Sequence, residues 1–248
     1  MTSPKQGPAV IITGAAGGIG TALLAAFDAV GWQVVSTDIL PLERPAHIVG
    51  DATLFSDPDS PEAARLIEEL RSATQGRLTA LVLNAAYQVV KPCEQLSADD
   101  WQKTLAVNLL APFWLSQAFL PELETNRGSI LAISSIHEKL TKPGFVAYAT
   151  SKAALSGMVR AMAVDLGGRV RCNAICPAAI ATPMLRAGFE GQPDAYRALE
   201  AHHPIGRIGT PDEVAATALF VCSDAASFMT GACLDLSGGI SVRLHDPV

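Results

Sequence analysis

The sequence predicts an α/β fold: a doubly wound sheet of about seven parallel strands with helices on both faces. Three observations predict it. Short apolar, β-branched runs alternate with longer segments of helical period. A glycine-rich turn follows the first of those runs. No internal repeat, low-complexity tract or linker divides the 248 residues.

The elements follow in order. Ala9–Thr13 (AVIIT) reads as a first strand ending at Gly14, and residues 18–30 as a helix stopped by Gly31. Gln33–Asp38 (QVVSTD) is a second strand, and Ile48 with Val49 a short third after a Pro-containing loop. Pro61–Thr74 is helical, with Pro61 suited to the first turn. Residues 80–84 (ALVLN) form a fourth strand, and 98–123 a long helical stretch that Pro112 bends or divides. Residues 129–134 (SILAIS) are a fifth strand, 147–166 a helix, 169–175 a sixth strand, 212–222 a helix and 232–236 a seventh strand. Right-handed crossovers between parallel strands then give one Rossmann-type domain over residues 1–248. The segment 182–209, rich in Pro, Gly and His, interrupts the alternation. It reads as a loop with one or two short helices and as a substrate lid.

Apolar residues make up 49% of the chain and charged ones 17%, enough for a substantial core. The formal net charge of -6, with no basic run, argues against nucleic acid and anionic membranes as partners. No stretch is expected to span a bilayer, and residues 1–8 show no apolar signal core, so a soluble, cytoplasmic protein is expected. The five cysteines are odd in number and include no C-x-x-C pair. They are expected to be free, mostly buried thiols, with no disulfide framework and no metal site.

The turn Thr13-Gly14-Ala15-Ala16-Gly17-Gly18-Ile19-Gly20 lies between the first strand and the first helix. Glycines there let backbone N–H groups approach a pyrophosphate, and the helix N-terminus favours its charge. Gly14, Gly18, Ile19 and Gly20 are therefore expected to bind a dinucleotide. Asp38 ends the second strand, where a carboxylate accepts hydrogen bonds from ribose hydroxyls and repels a 2′-phosphate. Neither Ala15 nor Ile39 is basic, so NAD is expected rather than NADP.

Tyr148 and Lys152 are four residues apart in a helical segment and share a face. An ammonium beside a phenol favours the phenolate and draws its pKa down from about 10. Such a tyrosine can take a proton from an alcohol as its hydride leaves. Ser134 and Ser135 close the fifth strand at the edge where open α/β sheets bind ligands, and a hydroxyl there can bond the reacting oxygen. Asn108 sits inside a helical stretch, where Asn is mildly unfavourable; it either holds a water or backbone group near Lys152 or faces solvent.

Together these residues resemble the short-chain dehydrogenase/reductase family over nearly the whole chain. The glycine turn resembles its T-G-x-x-x-G-x-G, Asn84-Ala85-Ala86 its N-A-G turn, and Pro177 to Pro183 (PAAIATP) its P-G-x-x-x-T-P segment. Asn108, Ser135, Tyr148 and Lys152 match its catalytic tetrad in type, order and spacing. The resemblance implies Tyr148 as acid–base, Lys152 lowering its pKa and holding the nicotinamide ribose, Ser135 polarising the substrate oxygen and Asn108 supporting a proton-relay water. It implies Asn84, Ala85, Pro177, Ile180 and Thr182 at the cofactor, Asp51 near the adenine, and a homotetramer. Ala86 and Ala178 stand where the family has Gly, which would strain a backbone that needs positive φ.

Gln88, His137, Lys139, Arg186 and His202 are expected to rim the substrate pocket. A polar, partly basic rim suits a small secondary alcohol or ketone such as a sugar, polyol or sugar acid. The alternative is a non-catalytic NAD-binding regulatory protein on the same fold.

Overall fold

The structure, a computed structural model, describes residues 7–244; residues 1–6 and 245–248, over which the expected domain and the opening residues also run, lie outside the described residues. Seven strands pair in parallel in the order β3-β2-β1-β4-β5-β6-β7. They are β1 (Ala9–Thr13), β2 (Gln33–Asp38), β3 (His47–Val49), β4 (Leu78–Leu83), β5 (Ser129–Ile133), β6 (Arg171–Pro177) and β7 (Cys233–Leu236). Between them run α1 (Gly18–Ala29), α2 (Pro61–Thr74), α3 (Ala98–Leu105), α4 (Ala111–Thr125), α5 (Val146–Leu166), α6 (Pro183–Ala187), α7 (Pro193–His202) and α8 (Pro211–Cys222).

Every residue of β1 and β5 is buried, because helices cover both faces of the sheet. On β1, Val10 and Ile12 join Leu23 and Phe27 of α1 and Val214 and Val221 of α8 in one core. Ile11, facing the other way, joins Leu66 of α2, Phe119 of α4 and Val159 of α5 in the second. The helices start on local signals: Ser60 caps α2 ahead of Pro61, while Ser97 with Asp100 and Thr210 with Glu213 form reciprocal capping boxes on α3 and α8. Strand boundaries differ from the expected ones by about two residues, the usual fraying of assignments.

Two expectations change. The stretch after Ser97 is α3 and α4 joined through a π-helical turn, Ala106–Leu110, so the irregularity comes before Pro112, which sits in the first turn of α4. A π turn re-aims the side chains beyond it and is frequent at functional sites. That joined run, Ala98–Thr125, is also long and apolar enough to cross a membrane by length and composition, against the expectation that no segment would be. Its apolar side chains Leu115, Phe119 and Leu123 are instead buried in the core, which is the reason for its composition.

Segment 182–209 does contain two short helices, α6 and α7. It leaves and rejoins the body at one place. Ile180 and Gly209 form a parallel bridge, with Ala181 N–H donating to the Gly209 carbonyl at 2.8 Å and Gly209 N–H to the Ala179 carbonyl at 2.9 Å.

At the end of β1 the chain turns at Gly14 with φ +65°, and a Cβ there would lie 2.7 Å from Ala85 Cα. Gly14→Ala therefore meets both a disfavoured conformation and a backbone clash. It is expected to cost at least about 1–2 kcal/mol, read as a melting temperature lower by roughly 2–8 °C.

Candidate active site

The strand order reverses beside β1, which has β2 on one side and β4 on the other. Crevices at such switch points, outside the carboxyl ends of the strands, are where doubly wound sheets bind ligands. Here the crevice is a cavity of about 240 Å³ lined by Gly14, Asp38, Asp51, Ala85, Tyr87 and Lys103, among others.

Its walls are tied together across strands. The Thr13 hydroxyl oxygen accepts from the backbone N–H of Asn84 and of Ala85, each at 3.0 Å. The Asn84 amide donates back to the carbonyls of Thr13 (3.1 Å) and Gly14 (2.8 Å). Asn84 thus holds the glycine turn in place. A Cβ on Gly20 would come within 2.1 Å of the Gly14 carbonyl oxygen, so only glycine lets α1 start this close to the turn. Asp38 accepts from Ala16 N–H at 2.9 Å and Leu40 N–H at 3.0 Å, which fixes its carboxylate at the cavity. Asp51 caps the following turn by accepting from Thr53 N–H at 2.8 Å. Pro177 ends β6, Ile180 sits in the bridge to Gly209, and Thr182 caps α6. Gly18 lies against Thr182 and Pro183, and Ile19 follows it into α1, so the glycine turn touches the start of the 182–209 excursion. Ala86 and Ala178 carry no strain of the expected kind: among the described residues only Ala46, Gln75 and Arg127 take positive φ without being glycine.

The four tetrad residues converge on α5 and the end of β5. Lys152 is 2% exposed, and its Nζ donates to the carbonyl of Ile133 at 2.8 Å. The same Nζ lies 5.7 Å from the Tyr148 ring centroid. Ser135 lies close enough to the Tyr148 phenol to favour its charged form. Asn108, on the π turn, is fully buried rather than facing solvent. Its Oδ1 accepts from Tyr87 N–H at 2.7 Å, and its Nδ2 donates to the Tyr87 carbonyl and the Ser151 hydroxyl, both at 2.9 Å. Ser151 in turn donates to the Tyr148 carbonyl at 2.7 Å. Asn108 therefore clamps the segment after β4 to α5, through the Tyr87 backbone on one side and the Ser151 hydroxyl on the other.

Burial governs the titration of the pair. Part of Tyr148 is reachable from the cleft, but its surroundings are dense, and burial pushes the phenol up to about 12. Ser135 opposes that rise. Lys152 is pushed down to about 8, again by burial. The expected lowering of the phenol by the ammonium is not what sets its titration: burial disfavours the charged form of both groups, and only Ser135 opposes it at the phenol.

Of the expected substrate residues, the structure brings His137 against Tyr148, with ring centroids 5.6 Å apart and edge to face. Lys139 turns away to Glu138 (3.3 Å) and Asp235 (3.2 Å). Gln88 is exposed two residues beyond Ala86, and Arg186 and His202 are exposed on the excursion. Sequence reasoning missed Tyr87, Ser151 and the cavity stripe Lys103, Val107, Ala111 and Leu115. The stripe had a signal in its spacing of four. Tyr87 and Ser151 had none, since their roles rest on contacts across 21 and 43 residues. The five cysteines are free, and among the described residues no cluster could hold a metal ion.

A parallel sheet with a glycine turn and an anchored acid at its switch point, and a Ser–Tyr–Lys cluster beyond it, defines an oxidoreductase that binds a nicotinamide dinucleotide. A family model described as enoyl-(acyl carrier protein) reductase matches residues 14–241. Protein FixR of Bradyrhizobium diazoefficiens is 37% identical over 93% of this chain and 85% of its own. D-threitol dehydrogenase of Mycolicibacterium smegmatis is 34% identical over 96% of this chain and 94% of its own. The ligand-free aldohexose dehydrogenase of Thermoplasma acidophilum superposes with a TM-score of 0.90 at 33% identity, covering 98% of this chain and 97% of that one. The chain belongs to the short-chain dehydrogenase/reductase family. The regulatory alternative finds no support among these relatives.

The buried lysine gives a pH prediction. Its folded pKa of about 8 lies below the ordinary lysine value of 10.5, so between those values the unfolded chain binds more protons. The penalty for burying the ammonium is full below pH about 8 and fades as pH rises toward about 10. Thermal melts of wild type and Lys152→Met should show wild type gaining stability relative to the variant from pH 8 to 10. Separately, Asn108→Ala strands three buried partners and should destabilise by roughly 2–4 kcal/mol, measured by urea unfolding.

Proposed function

We propose that the protein is an NAD-dependent dehydrogenase that interconverts a small secondary alcohol and its ketone, with Tyr148, Lys152, Ser135 and Asn108 as its working residues. One observation carries this reading: the Ser135 hydroxyl, the Tyr148 phenol and the Lys152 ammonium meet at the carboxyl end of β5.

Tyr148 rests as the proton-bearing phenol, held so by burial. In reduction it gives that proton to the substrate oxygen, and in oxidation it receives the proton from the alcohol. Ser135 holds the substrate oxygen beside the phenol. Lys152 stays largely protonated below pH about 8, and its positive charge steadies the phenolate form when that form is needed. Asn108 acts on α5 through Ser151 and is a positioning residue. Gly14, Gly18, Ile19, Gly20, Asp38, Asp51, Asn84, Ala85, Pro177, Ile180 and Thr182 are the groups that hold or frame the dinucleotide. When bound, the nicotinamide supplies the acceptor or donor of the hydride. The Asp38 carboxylate, anchored by two backbone N–H groups at the cavity, favours ribose hydroxyls over a 2′-phosphate, which supports NAD.

The same reading takes the chain as one domain with residues 182–209 as its substrate lid, and the substrate as a sugar, polyol or sugar acid. The threitol and aldohexose dehydrogenases among its relatives favour that class. It also takes the protein as a cytoplasmic homotetramer without nucleic-acid or membrane partners. Sedimentation as a monomer would remove that last point.

Two variants test the chemistry. Tyr148→Phe should lower kcat by at least about 100-fold, followed by absorbance of the reduced nicotinamide, and undiminished turnover would overturn the assignment. Asp38→Ala should lower the ratio of kcat/KM with NAD to that with NADP by about 10-fold or more, and an unchanged ratio would remove the role given to the carboxylate.

A further inference from the structure

His137 follows the catalytic Ser135 by two residues, and its ring is held on three sides. It stacks on Phe145 with centroids 4.6 Å apart and planes within 7°. It meets Tyr148 edge to face. Its Nδ1 is bonded to the Thr141 hydroxyl at 3.1 Å. Among the described residues nothing bonds Nε2, and that atom is not among those sealed from solvent without a partner. A fixed aromatic side chain with one unspent polar atom, beside the phenol that handles the substrate proton, is the geometry of a recognition group.

The charge around it selects among ligands. Burial and the nearby Lys142 ammonium lower the imidazole pKa to about 4, so at neutral pH it offers a hydrogen bond and no charge. Two of the three cations near this turn are engaged elsewhere, and the third, Lys142, sits on the far ring of the stack. Lys139 pairs with Glu138 and Asp235, Arg160 approaches Glu138 and Cys233, and Lys142 lies 4.7 Å over the Phe145 ring. A neutral imidazole suits a hydroxyl in either tautomer, because a hydroxyl both donates and accepts. A carboxylate would gain from the neutral imidazole only an uncharged hydrogen bond, the weaker kind for an anion.

Resting on the dehydrogenase reading above, we propose that His137 is the specificity-determining residue of this site. Its Nε2 hydrogen-bonds a second hydroxyl on the carbon next to the reacting one, and the substrate class is an uncharged vicinal diol or polyol rather than a sugar acid. The second hydroxyl is placed on the adjacent carbon because the imidazole stands directly against the phenol that exchanges the reacting proton.

The test compares 2,3-butanediol and D-threitol with 2-butanol and with a four-carbon sugar acid, using wild type, His137→Phe and His137→Gln. Phenylalanine keeps the stack on Phe145 and loses Nε2; glutamine restores a donor and acceptor. Thermal melts and NAD binding report whether each variant is folded. Wild type should prefer the diols over both other substrates. His137→Phe should lower the diol-to-mono-ol ratio of kcat/KM by about 10-fold or more, mainly through the diol KM, with His137→Gln recovering part of it. An unchanged ratio in folded His137→Phe, or a wild type that prefers the sugar acid, overturns the proposal while leaving the dehydrogenase reading intact. No turnover of any alcohol by wild type overturns both.

Discussion

A lysine side chain that is almost wholly removed from water must find an oxygen, and the rest of this site is arranged around where it finds one. Lys152 reaches the carbonyl of Ile133, the last residue of β5. That bond joins the longest helix of the fold to the strand whose end carries Ser135. Ser134 adds to the seam, bonding the Lys152 carbonyl at 3.2 Å and the Ser156 hydroxyl at 2.8 Å. With α5 fixed against β5, Tyr148 has one place to lie, beside Ser135, and Ser151 has one neighbour to meet, Asn108. The low dielectric that makes the lysine seek a carbonyl also raises the phenol and lowers the ammonium. Stability and reactivity at this site are thus set by one cause, the exclusion of water from the base of α5.

Much of this was legible in the sequence because it is written locally. The glycine turn after AVIIT, the aspartate that ends QVVSTD and the spacing of Tyr148 and Lys152 are short-range patterns, and each maps onto one junction of the observed sheet. The strands read clearly because burial on both faces makes them continuous apolar runs. The short helices of 182–209 were also foreseeable, since Pro183 and Pro193 begin them. Boundaries were less well defined at β4, which starts two residues before the expected place, and at β6, which is shifted two residues along.

What the sequence hid depends on distant partners. Asn108 was visible, but its bonds to Tyr87 and Ser151 were not, because nothing local says that the segment after β4 returns to α5. The π turn that carries it leaves no mark in the apolar pattern. Nor did charge type reveal charge use: Lys139 is basic and close in sequence to the site, yet it pairs with Asp235 of β7, 96 residues away. The phenol's titration was read from the ammonium alone, since burial at a cleft wall has no signature in a string of residues. His137 was placed near the substrate by position, while its neutrality follows from Phe145 and Lys142 packing around it.

The bridge between Ile180 and Gly209 pins together the two ends of the segment that carries α6 and α7. Its second half is also held from outside, by Ile205 N–H to the Gly238 carbonyl and by Arg243 to the carbonyls of Ala201 and His202, which leaves, among the described residues, α6 and the turn after it as the part tied only by its ends. The entropic cost of doubling such a loop is only about 0.6 kcal/mol. Length there can vary at small entropic cost while the strands that carry the cavity keep their register.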